Sequence, residues 1–493
     1  GIVSGFSVMS KEPSIIWAAD RLINKRIDSN YYHIKYIEYL DTIVNCGLDC
    51  KPFEDICKRM NSGPFGSALL ASAYVEKGVP FIRPLNCKNF IVEDNELVFI
   101  SNEDSIRLKS SRFNSGALII TKIGNGIGDV AIIPRKNDKC NISGNLMGVE
   151  IKNSYDNYFV LSFLKSKYGQ NQIWQGMMNS AKPKIDMDTI RSIQIPIPSA
   201  EIQKYIGDKV RRAEELREEA KRLENEINTF FNEKFSDIYN SIDESKVYHS
   251  KFTWKSAENI RDVFNAEYFT LIGDKYEQVI REQKGVYLDD LLKDCFMGKS
   301  PSQYADKGPK ILKVKNLTNG GLDWSDSDHV DKEFYVKNKR CHLQHGDVFI
   351  IPAAHLAKYI GEKVDVYIQG IEGIKYPDAM ASGKIIVIRP NFDKVNPIYL
   401  CLVMREKFVY HQIQRQVSGI TASYYPKDVR QLCIPLIERE KQDMVADKYI
   451  EIIKCKEQAK QLIQEAKQDV EDLIEGDFEM SELNNDSSTE SRC

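Results

Sequence analysis

Short apolar runs recur along the chain in two matching series. The first series is Val79–Leu85, Gly116–Lys122 and Val149–Lys152, and its counterparts are Pro309–Lys315, Gly346–Pro352 and Ile386–Arg389. The runs are continuous or alternating in apolar residues and are bounded by Gly, Asn and Pro, as is typical of β-strands. Helical spacing follows each series, over residues 157–174 and 397–417. The pattern predicts two β-rich domains, each closed by a helix.

Two long charged segments carry a narrow apolar stripe. The stripe consists of Ala213, Leu216, Ala220, Leu223, Ile227 and Phe230 in the first segment, and of Ile452, Cys455, Ala459, Leu462, Ala466, Val470 and Leu473 in the second. Steps of three and four residues with charges on the other faces are typical of coiled-coil helices. Each helix could pack on its own domain. Two such helices in one chain favour antiparallel packing against each other.

The chain is a duplication. The repeated features are Trp17 and Tyr31, which recur as Trp254 and Tyr268, Arg191–Pro196, which recurs as Arg430–Pro435, and Gln203, which recurs as Gln442. A repeat of about 235 residues exceeds the ~20–50 residues of a solenoid repeat. It therefore implies two whole domains of one fold, each opened by a helical lead-in, over Trp17–Leu40 and Trp254–Ile280.

We predict an α+β fold, with two pseudo-symmetric globular domains separated by two long antiparallel coiled-coil helices. The predicted boundaries are 1–198 for the first domain, 199–235 for the first spacer helix, 236–436 for the second domain, 437–475 for the second spacer helix, and 476–493 for an acidic disordered tail. About 30 helical residues span ~45 Å.

The charge of −3 is unevenly distributed over the 493 residues. Residues 471–493 hold eight acidic residues and one Arg, which leaves the rest of the chain with a charge of +4. A mildly basic body with an acidic tail is compatible with nucleic-acid binding. The eleven cysteines include no CxxC pair, and no apolar run approaches the ~20 residues of a membrane helix. We expect a cytoplasmic protein with reduced thiols, no metal site and no membrane contact.

Catalytic motifs are weak. Gly124–Gly128 lacks the GxGxxG spacing and precedes a predicted strand, so it favours a β-turn over a nucleotide loop. Asp129, Glu150 and Lys152 could form a metal-dependent nuclease triad, but the second copy places Val387 and Arg389 at the Glu150 and Lys152 positions. No Walker A sequence and no Pro-Pro loop of amino-methyltransferases occurs. A binding function is therefore favoured over a catalytic one.

Polar loops of the two domains are the candidate binding site. They combine Lys, Arg, Asn, Gln, Ser and Tyr, which contact phosphates and base edges, whereas each residue alone could be an ordinary solvated side chain. The candidate DNA-binding residues are Lys58, Arg59, Asn61, Ser62, Ser67, Lys122, Asn125, Lys182 and Lys184 in the first domain, and Lys299, Gln303, Tyr304, Lys315, Lys358, Tyr424, Tyr425 and Lys427 in the second.

The chain resembles the specificity (S) subunit of type I restriction-modification systems over residues 15–475. The matching segments are Ser62–Ser67 with the following Gly78–Ile82, Gly116–Gly128, and Ile190–Gln203. The resemblance implies two target-recognition domains, each reading one half of a bipartite asymmetric DNA site. The second domain departs from the pattern, since Pro352 and Ala353–Tyr359 replace Thr-Lys and the Gly turn.

The resemblance also implies a non-catalytic subunit of a phage-defence complex. Its partners would be double-stranded DNA, two adenine-methyltransferase (M) subunits docked on the helices, and motor-nuclease (R) subunits. S-adenosylmethionine, ATP and Mg²⁺ would bind to the partners and not to this chain. The alternatives are a nuclease, the recognition portion of a fused type II restriction-methylation enzyme, and a coiled-coil scaffold that binds only protein.

Overall fold

The computed structural model describes residues 6–8, 16–18, 31–64, 66–94, 96–124, 126–177, 183–243, 271–417 and 423–479. The chain divides into two compact units. Unit 1 comprises the described residues of Gly1–Arg217 and Gln458–Cys493, and unit 2 comprises those of Glu218–Glu457. The division falls inside the two long helices, so each helix contributes one part to each unit. The predicted domain boundaries stay predictions.

Unit 1 contains twelve described strands: β1 (Phe6–Val8), β2 (Ile16–Ala18), β3 (Asp49–Pro52), β4 (Cys57–Ser62), β5 (Val79–Ile82), β6 (Val98–Ile100), β7 (Arg112–Phe113), β8 (Leu118–Thr121), β9 (Val130–Ile132), β10 (Cys140–Ile142), β11 (Leu146–Ile151) and β12 (Gln194–Ile197). Its described helices are α1 (Ile34–Val44), α2 (Phe53–Ile56), α3 (Asn102–Arg107), α4 (Asn157–Lys165), α5 (Lys167–Gln175), α6 (Met187–Arg191) and the first part of α7 (Ala200–Lys234).

Unit 2 begins within α7 and repeats many of these elements. Its described strands are β13 (Val286–Tyr287), β14 (Leu292–Met297), β15 (Ala305–Leu312), β16 (Asp328–His329), β17 (Val348–Ile350), β18 (Val364–Val366), β19 (Ala379–Ala381), β20 (Ile386–Pro390) and β21 (Cys433–Ile434). Its described helices are α8 (Ser236–Asn240), α9 (Leu271–Glu282), α10 (Leu288–Leu291), α11 (Lys332–Lys337), α12 (Pro397–Met404), α13 (Lys407–Gln416), α14 (Pro426–Val429) and the first part of α15 (Arg439–Glu475).

Three sheets of unit 1 have counterparts in unit 2. An antiparallel sheet has the order β4-β11-β8-β9 in unit 1 and β14-β20-β17-β18 in unit 2. A second sheet contains one parallel pair, β5 with β10 in unit 1 and β15 with β19 in unit 2. A third, two-stranded ladder joins β3 to β12 and β13 to β21. The predicted mixture of helix and strand, repeated in two copies, is confirmed.

The core of each unit is formed largely by apolar side chains of these two sheets. In unit 1, Ile119 of β8 and Ala131 of β9 pack in one cluster with Ile82 of β5 and Ile142 of β10. β8 is buried at all four positions. A strand covered on both faces has no polar side to show, which accounts for the continuous apolar runs in the sequence.

The helix predicted over residues 157–174 is two helices, and so is its counterpart over 397–417. Ser166 has extended backbone angles, and its hydroxyl accepts a hydrogen bond from the Gly169 amide, which starts α5. Glu406 interrupts the second copy with extended backbone angles but without a side-chain cap. In unit 1 a local side-chain cap thus overrides a helical pattern that is continuous in apolar spacing.

The predicted lead-in helix Trp17–Leu40 is wrong at its start. Trp17 lies in β2, which pairs with β1, and α1 begins only at Ile34 behind a His33 cap. An apolar run without helical spacing gains its backbone hydrogen bonds from the neighbouring strand instead. Of the second lead-in, the structure describes residues 271–280, in α9. Residues 254–270, and the tail from 480 onward, lie outside the described residues.

The two long helices pair antiparallel within each unit, as predicted. In unit 1, Lys209 of α7 forms an ion pair with Asp469 of α15, with 2.7 Å between Nζ and Oδ2. In unit 2, Lys456 of α15 pairs with Glu224 of α7 at 2.6 Å, and Lys448 pairs with Glu226 further along.

The predicted apolar stripe shifts by one residue at three positions. Phe231, Ile463 and Ile474 are buried instead of Phe230, Leu462 and Leu473. An α-helix has 3.6 residues per turn, so a stripe extrapolated at 3.5 drifts off the buried face. From Ile452 to Ile474 the buried positions advance by 3, 4, 4, 3, 4 and 4 residues, which is closer to an 11-residue repeat than to a heptad.

A buried glutamine ties each long helix to its globular sheet region. The Gln203 side chain accepts from the Asp156 amide at 3.0 Å and donates to the Pro198 carbonyl at 2.9 Å. Gln442 does the same with the Asn396 amide and the Ile437 carbonyl, at 2.9 and 2.8 Å. The repeat of these residues in the sequence therefore reflects architecture.

Replacing Gln442 with leucine is expected to destabilise unit 2 by about 2–4 kcal/mol, because two buried backbone groups each lose a partner worth ~1–3 kcal/mol. Hydrogen exchange of α12 and the start of α15 measures the effect. Gln461→Leu is the matched control, since Gln461 is exposed on the same helix. Equal effects of the two substitutions would contradict the assigned role.

Candidate nucleic-acid interface

The two predicted binding loops leave the sheet at equivalent points. Ser62 pairs with Met147 at the end of β4, and Met297 pairs with Ile386 at the end of β14. A glycine follows each, and both glycines approach backbone closely. A Cβ on Gly63 would lie 2.1 Å from the Ser143 carbonyl oxygen, and one on Gly298 would lie 2.3 Å from that of Ser382. The framework that positions the loops is therefore shared.

In unit 1 the structure brings three predicted residues together. Lys122, just beyond β8, donates from Nζ to the Ser62 hydroxyl at 2.9 Å. The backbone of Lys184 pairs with Ile123, the next residue. Burial lowers the pKa of the half-buried Lys122, whereas Lys184 is exposed. Ser62, Lys122 and Lys184 thus form one polar cluster at the loop end of the sheet.

Other predicted residues of unit 1 lie apart from this cluster. Lys58 is exposed near the opposite end of β4, beside a cleft of about 400 Å³. Asn61 lies beside the Ser110 carbonyl, and Ser67 is exposed in a short 3₁₀ turn. Asn125 and Lys182 lie outside the described residues.

Arg59 has a structural role in this conformation. Its guanidinium donates to the carbonyls of Arg112 and Ser110 at 2.8 and 2.5 Å, and it pairs with Glu150 at 3.3 Å. Its charge also lies over the Phe113 ring. These partners hold the segment after α3 against β4.

In unit 2 the predicted residues differ widely in exposure. Lys299 follows Gly298 directly and is exposed, as are Gln303, Lys358 and Lys427. The Tyr304 ring lies under the Lys313 ammonium, 3.5 Å from Nζ to the centroid.

Lys315 of this set is already engaged with two carboxylates. Lys315 pairs with Asp326 and Asp328 at 3.0 and 3.4 Å, so much of its charge is balanced.

The prediction for Tyr424 is corrected by its burial. Tyr424 is fully buried, and its amide donates to the Pro352 carbonyl at 2.7 Å. Ile185 occupies the equivalent position in unit 1, where its amide donates to the Lys122 carbonyl. The position is therefore a core position in both copies, and the exposed ring at this point of the loop is that of Tyr425, 49% exposed.

The predicted equivalence of the two copies on the central strand is also corrected. Val149 faces Leu118, and Ile388 faces Val348, so Glu150 corresponds to Arg389 and Lys152 to Asn391. The cross-strand partner of Glu150 is Arg59, and that of Arg389 is Asp294. The charges on this strand pair are therefore reversed between the copies, which a comparison of local sequence motifs alone does not reveal.

The reversal preserves one contact. In unit 1, Arg59 of the edge strand donates to the Arg112 carbonyl. In unit 2, Arg389 of the central strand donates to the His342 carbonyl at 3.1 Å. Arg112 and His342 are equivalent, since they pair with Asn141 of β10 and Met380 of β19. An arginine holds the same backbone group in both copies.

Among the described residues of unit 2, two ion pairs have fully buried carboxylates, and the sequence prediction missed both. Asp347 accepts two hydrogen bonds from Arg389, at 2.8 and 2.9 Å, and Asp365 accepts one from Arg405 at 3.0 Å. Both carboxylates have no exposed surface. Burial raises the pKa of each, and the arginines oppose this. In the sequence, Asp347 and Asp365 each interrupt an apolar run. That interruption is the signal from which the buried ion pairs could have been predicted.

Two residues of the considered nuclease triad are engaged in contacts within unit 1. Glu150 pairs with Arg59, and the Lys152 ammonium donates to the Asp55 carbonyl at 2.6 Å. Burial raises the pKa of Asp129. Over the residues that the structure describes, no group of three or more His, Cys, Asp and Glu side chains is placed to hold a metal ion.

In the same described residues no helix is both long and apolar enough to cross a membrane.

The chain is similar to several solved structures of low sequence identity. The S subunit of a type I restriction-modification system from M. genitalium is 12% identical, with 88% of this chain and 97% of that chain covered and a TM-score of 0.46. The HsdS subunit from Thermoanaerobacter tengcongensis is 14% identical, with 88% and 96% covered and a TM-score of 0.27. A structure on the assembly and conformational transition of the type I R-M system is 14% identical, with 88% and 98% covered and a TM-score of 0.28.

The family comparison depends on sequence and is independent of these structures. No curated protein matches the chain. Residues 53–229 match the family model described as the type I restriction modification DNA specificity domain. This segment runs from α2 through the sheets of unit 1 into α7. The predicted resemblance is confirmed over this segment: residues 53–229 are similar to the type I restriction-modification DNA specificity domain.

Proposed function

We propose that this chain is the DNA-specificity subunit of a type I restriction-modification complex. Each sheet region would read one half of a bipartite, asymmetric DNA site. The observation that carries the proposal is the shared framework with divergent loops: Gly63 and Gly298 set the same exit from the sheet, and the residues beyond them differ. One fold that presents two loop sets suits a target with two unlike halves.

The polar cluster of unit 1 supports DNA contact in physical terms. Lys184 is exposed, and Lys122 lies beside the Ser62 hydroxyl. Lysines neutralise phosphates with release of counterions, which makes affinity fall steeply with salt. Hydroxyl and amide side chains can read base edges. In unit 2 the corresponding candidates are Lys299, Gln303, Tyr425 and Lys427.

The chemistry would reside on partner subunits. Two methyltransferase subunits would bind S-adenosylmethionine and methylate an adenine in each half-site, and motor-nuclease subunits would use ATP and Mg²⁺. A base must leave the duplex stack before it is methylated, which costs a few kcal/mol. This chain would select the DNA sequence and would hold the duplex in a distorted conformation.

Exchanging residues 57–185 for the equivalent segment of a relative with a different target is expected to change one half-site only. A wrong base pair costs about 1–3 kcal/mol, so methylation should move completely to the new half-sequence. Sequencing of methylated adenines in host DNA measures the outcome.

The matched control exchanges the same segment with a relative that shares the first half-site, which should leave methylation unchanged. Residues 57–185 contain the Ser62–Lys122–Lys184 cluster and end before β12, so the ladder to β3 stays native. A change in both half-sites would contradict the modular reading, and loss of all methylation in the control would indicate a folding defect.

A further inference from the structure

A short helix stands at the same place in both copies. α3 follows the Ser101 cap and leads through a 3₁₀ turn to Arg112, and α11 follows the Asp331 cap and leads through a 3₁₀ turn to His342. Since Arg112 and His342 are equivalent in strand pairing, position 106 corresponds to position 336. We call α3 and α11 with their 3₁₀ turns the ridges.

Each ridge exposes an aliphatic side chain at this position. Ile106 is 63% exposed and Val336 is 51% exposed. The two helices otherwise share little sequence, with Asn-Glu-Asp-Ser-Ile-Arg in one and Lys-Glu-Phe-Tyr-Val-Lys in the other. Single exposed aliphatic residues are common. The same exposure at one structural position, with the surrounding sequence replaced, indicates a common ligand.

Basic residues flank the aliphatic side chain in each ridge. Arg107 and Lys109 are exposed beside Ile106, and Lys337 and Lys339 are exposed beside Val336. Arg107 also forms an ion pair with Asp104. The cores of protein–protein interfaces are depleted of Lys, whereas apolar contacts flanked by cations are usual where proteins contact the DNA minor groove. The charge pattern therefore favours DNA over a protein partner.

The ridge of unit 1 lies next to a candidate loop, and both ridges are joined to the sheet that carries the loops. Arg107 donates to the Ala68 carbonyl at 3.1 Å, which places α3 beside the loop that contains Ser67. Arg340, in the 3₁₀ turn after α11, forms two hydrogen bonds with Asp294 of β14, at 2.9 and 3.1 Å. Arg59 and Arg389 fix the ends of the ridges to the sheet. A duplex that reached the Ser67 loop of unit 1 could reach the ridge of that unit without rearrangement.

We propose that the two ridges are sequence-independent DNA contacts, in which Ile106 and Val336 pack on sugar and base edges while the flanking cations meet phosphates. The inference rests on the proposed function and extends it. The loops differ between the copies and would choose the sequence. The ridges keep an aliphatic residue and its basic flanks, and would position the duplex equally in both halves.

The test uses the complex as it is purified from its host, with the double variant Ile106→Ser and Val336→Ser. Both side chains are exposed and Ser has a helix propensity similar to theirs, so folding should be retained. Affinity is measured for a random-sequence 40-base-pair duplex and for a duplex that carries the methylated site. We expect a loss of about tenfold on both duplexes, from two lost apolar contacts, with the complex mass unchanged.

Salt dependence separates the two parts of each ridge. The double serine variant should keep the slope of log affinity against log salt, while Lys337→Gln with Lys339→Gln should reduce it by about 0.9 per lost phosphate contact. Val44→Ser, an exposed aliphatic at the end of α1 (36% exposed), should match the wild type.

Each contrary result has a distinct meaning. Unchanged DNA affinity in the double serine variant would overturn the ridge proposal alone. Loss of partner subunits with DNA binding retained would overturn it in favour of a protein-docking surface. If the wild-type complex bound neither duplex, the proposed function itself would fail, and the ridge proposal with it.

Discussion

Replacing Arg389 with alanine is expected to destabilise unit 2 by about 3–5 kcal/mol, the usual cost of leaving one partner of a buried ion pair uncompensated. Asp347 has no exposed surface and receives both hydrogen bonds of the Arg389 fork. Without Arg389 it would keep the Gln344 amide at 2.8 Å. The His342 carbonyl would also lose a donor. Hydrogen exchange of β17 and β20 measures the loss.

The defect should depend on pH in a defined direction. Burial raises the pKa of Asp347 and Arg389 opposes the rise, so the pKa is higher still in the variant. A carboxyl whose pKa is raised on folding contributes stability below its unfolded pKa of ~3.9 and loses it as pH rises through the folded pKa. The deficit relative to the wild type should therefore be largest near pH 8 and shrink toward about pH 4.

A double variant isolates the cause. Asp347→Ala with Arg389→Met replaces the pair with apolar groups, and such replacements are often neutral or stabilising. Unit 1 already has Ala117 at the position of Asp347. The double variant should recover most of the stability lost in Arg389→Ala. If it were as unstable as the single variant, packing or the His342 contact would be the cause and the ion-pair explanation would be wrong.

Gly63→Ala and Gly298→Ala should each cost about 3 kcal/mol, at the upper end of the overpacking range. The added Cβ would meet backbone oxygens at 2.1 Å and 2.3 Å. Backbone at the start of a loop and the end of a strand cannot yield as a flexible side chain can. The loops that follow would also be displaced, so DNA affinity should fall with stability.

Gly66→Ala is the matched control in the same loop, because a Cβ there meets nothing within 4 Å. Thermal unfolding and duplex binding of the three variants test whether the close approach of each glycine to the backbone constrains its loop. Equal behaviour of Gly63→Ala and Gly66→Ala would show that the close approach does not constrain the loop.

Local sequence predicted elements well where one interaction dominates. β8 and β17 lie within the predicted apolar runs, because continuous burial leaves a continuous signal. The helix predicted over 157–174 failed at Ser166, since one hydroxyl cap interrupts it. Phe230 and Phe231 are equally apolar, and only packing decides between them. Phe231 contacts Tyr399, with 6.2 Å between ring centroids.

The candidate site shows the same limit. Lysines and serines in polar loops predicted a binding surface, and Lys122 does meet Ser62. The exposed Tyr425 and the buried Tyr424 are adjacent and identical, so sequence could not distinguish the exposed ring from the core ring. The role of Arg59 was also hidden, because its partners, the carbonyls of Ser110 and Arg112, lie about fifty residues away in the chain.

The sequence by itself determined the duplication, the α+β class, the paired long helices and the resemblance to type I specificity subunits, because these depend on periodicity and on motifs that recur. Tertiary structure alone decided the register between the copies, with Glu150 equivalent to Arg389. It also decided which glycines touch backbone and which charges are buried. Such features depend on contacts between residues distant in the chain, and local patterns carry no record of which distant partner a side chain meets.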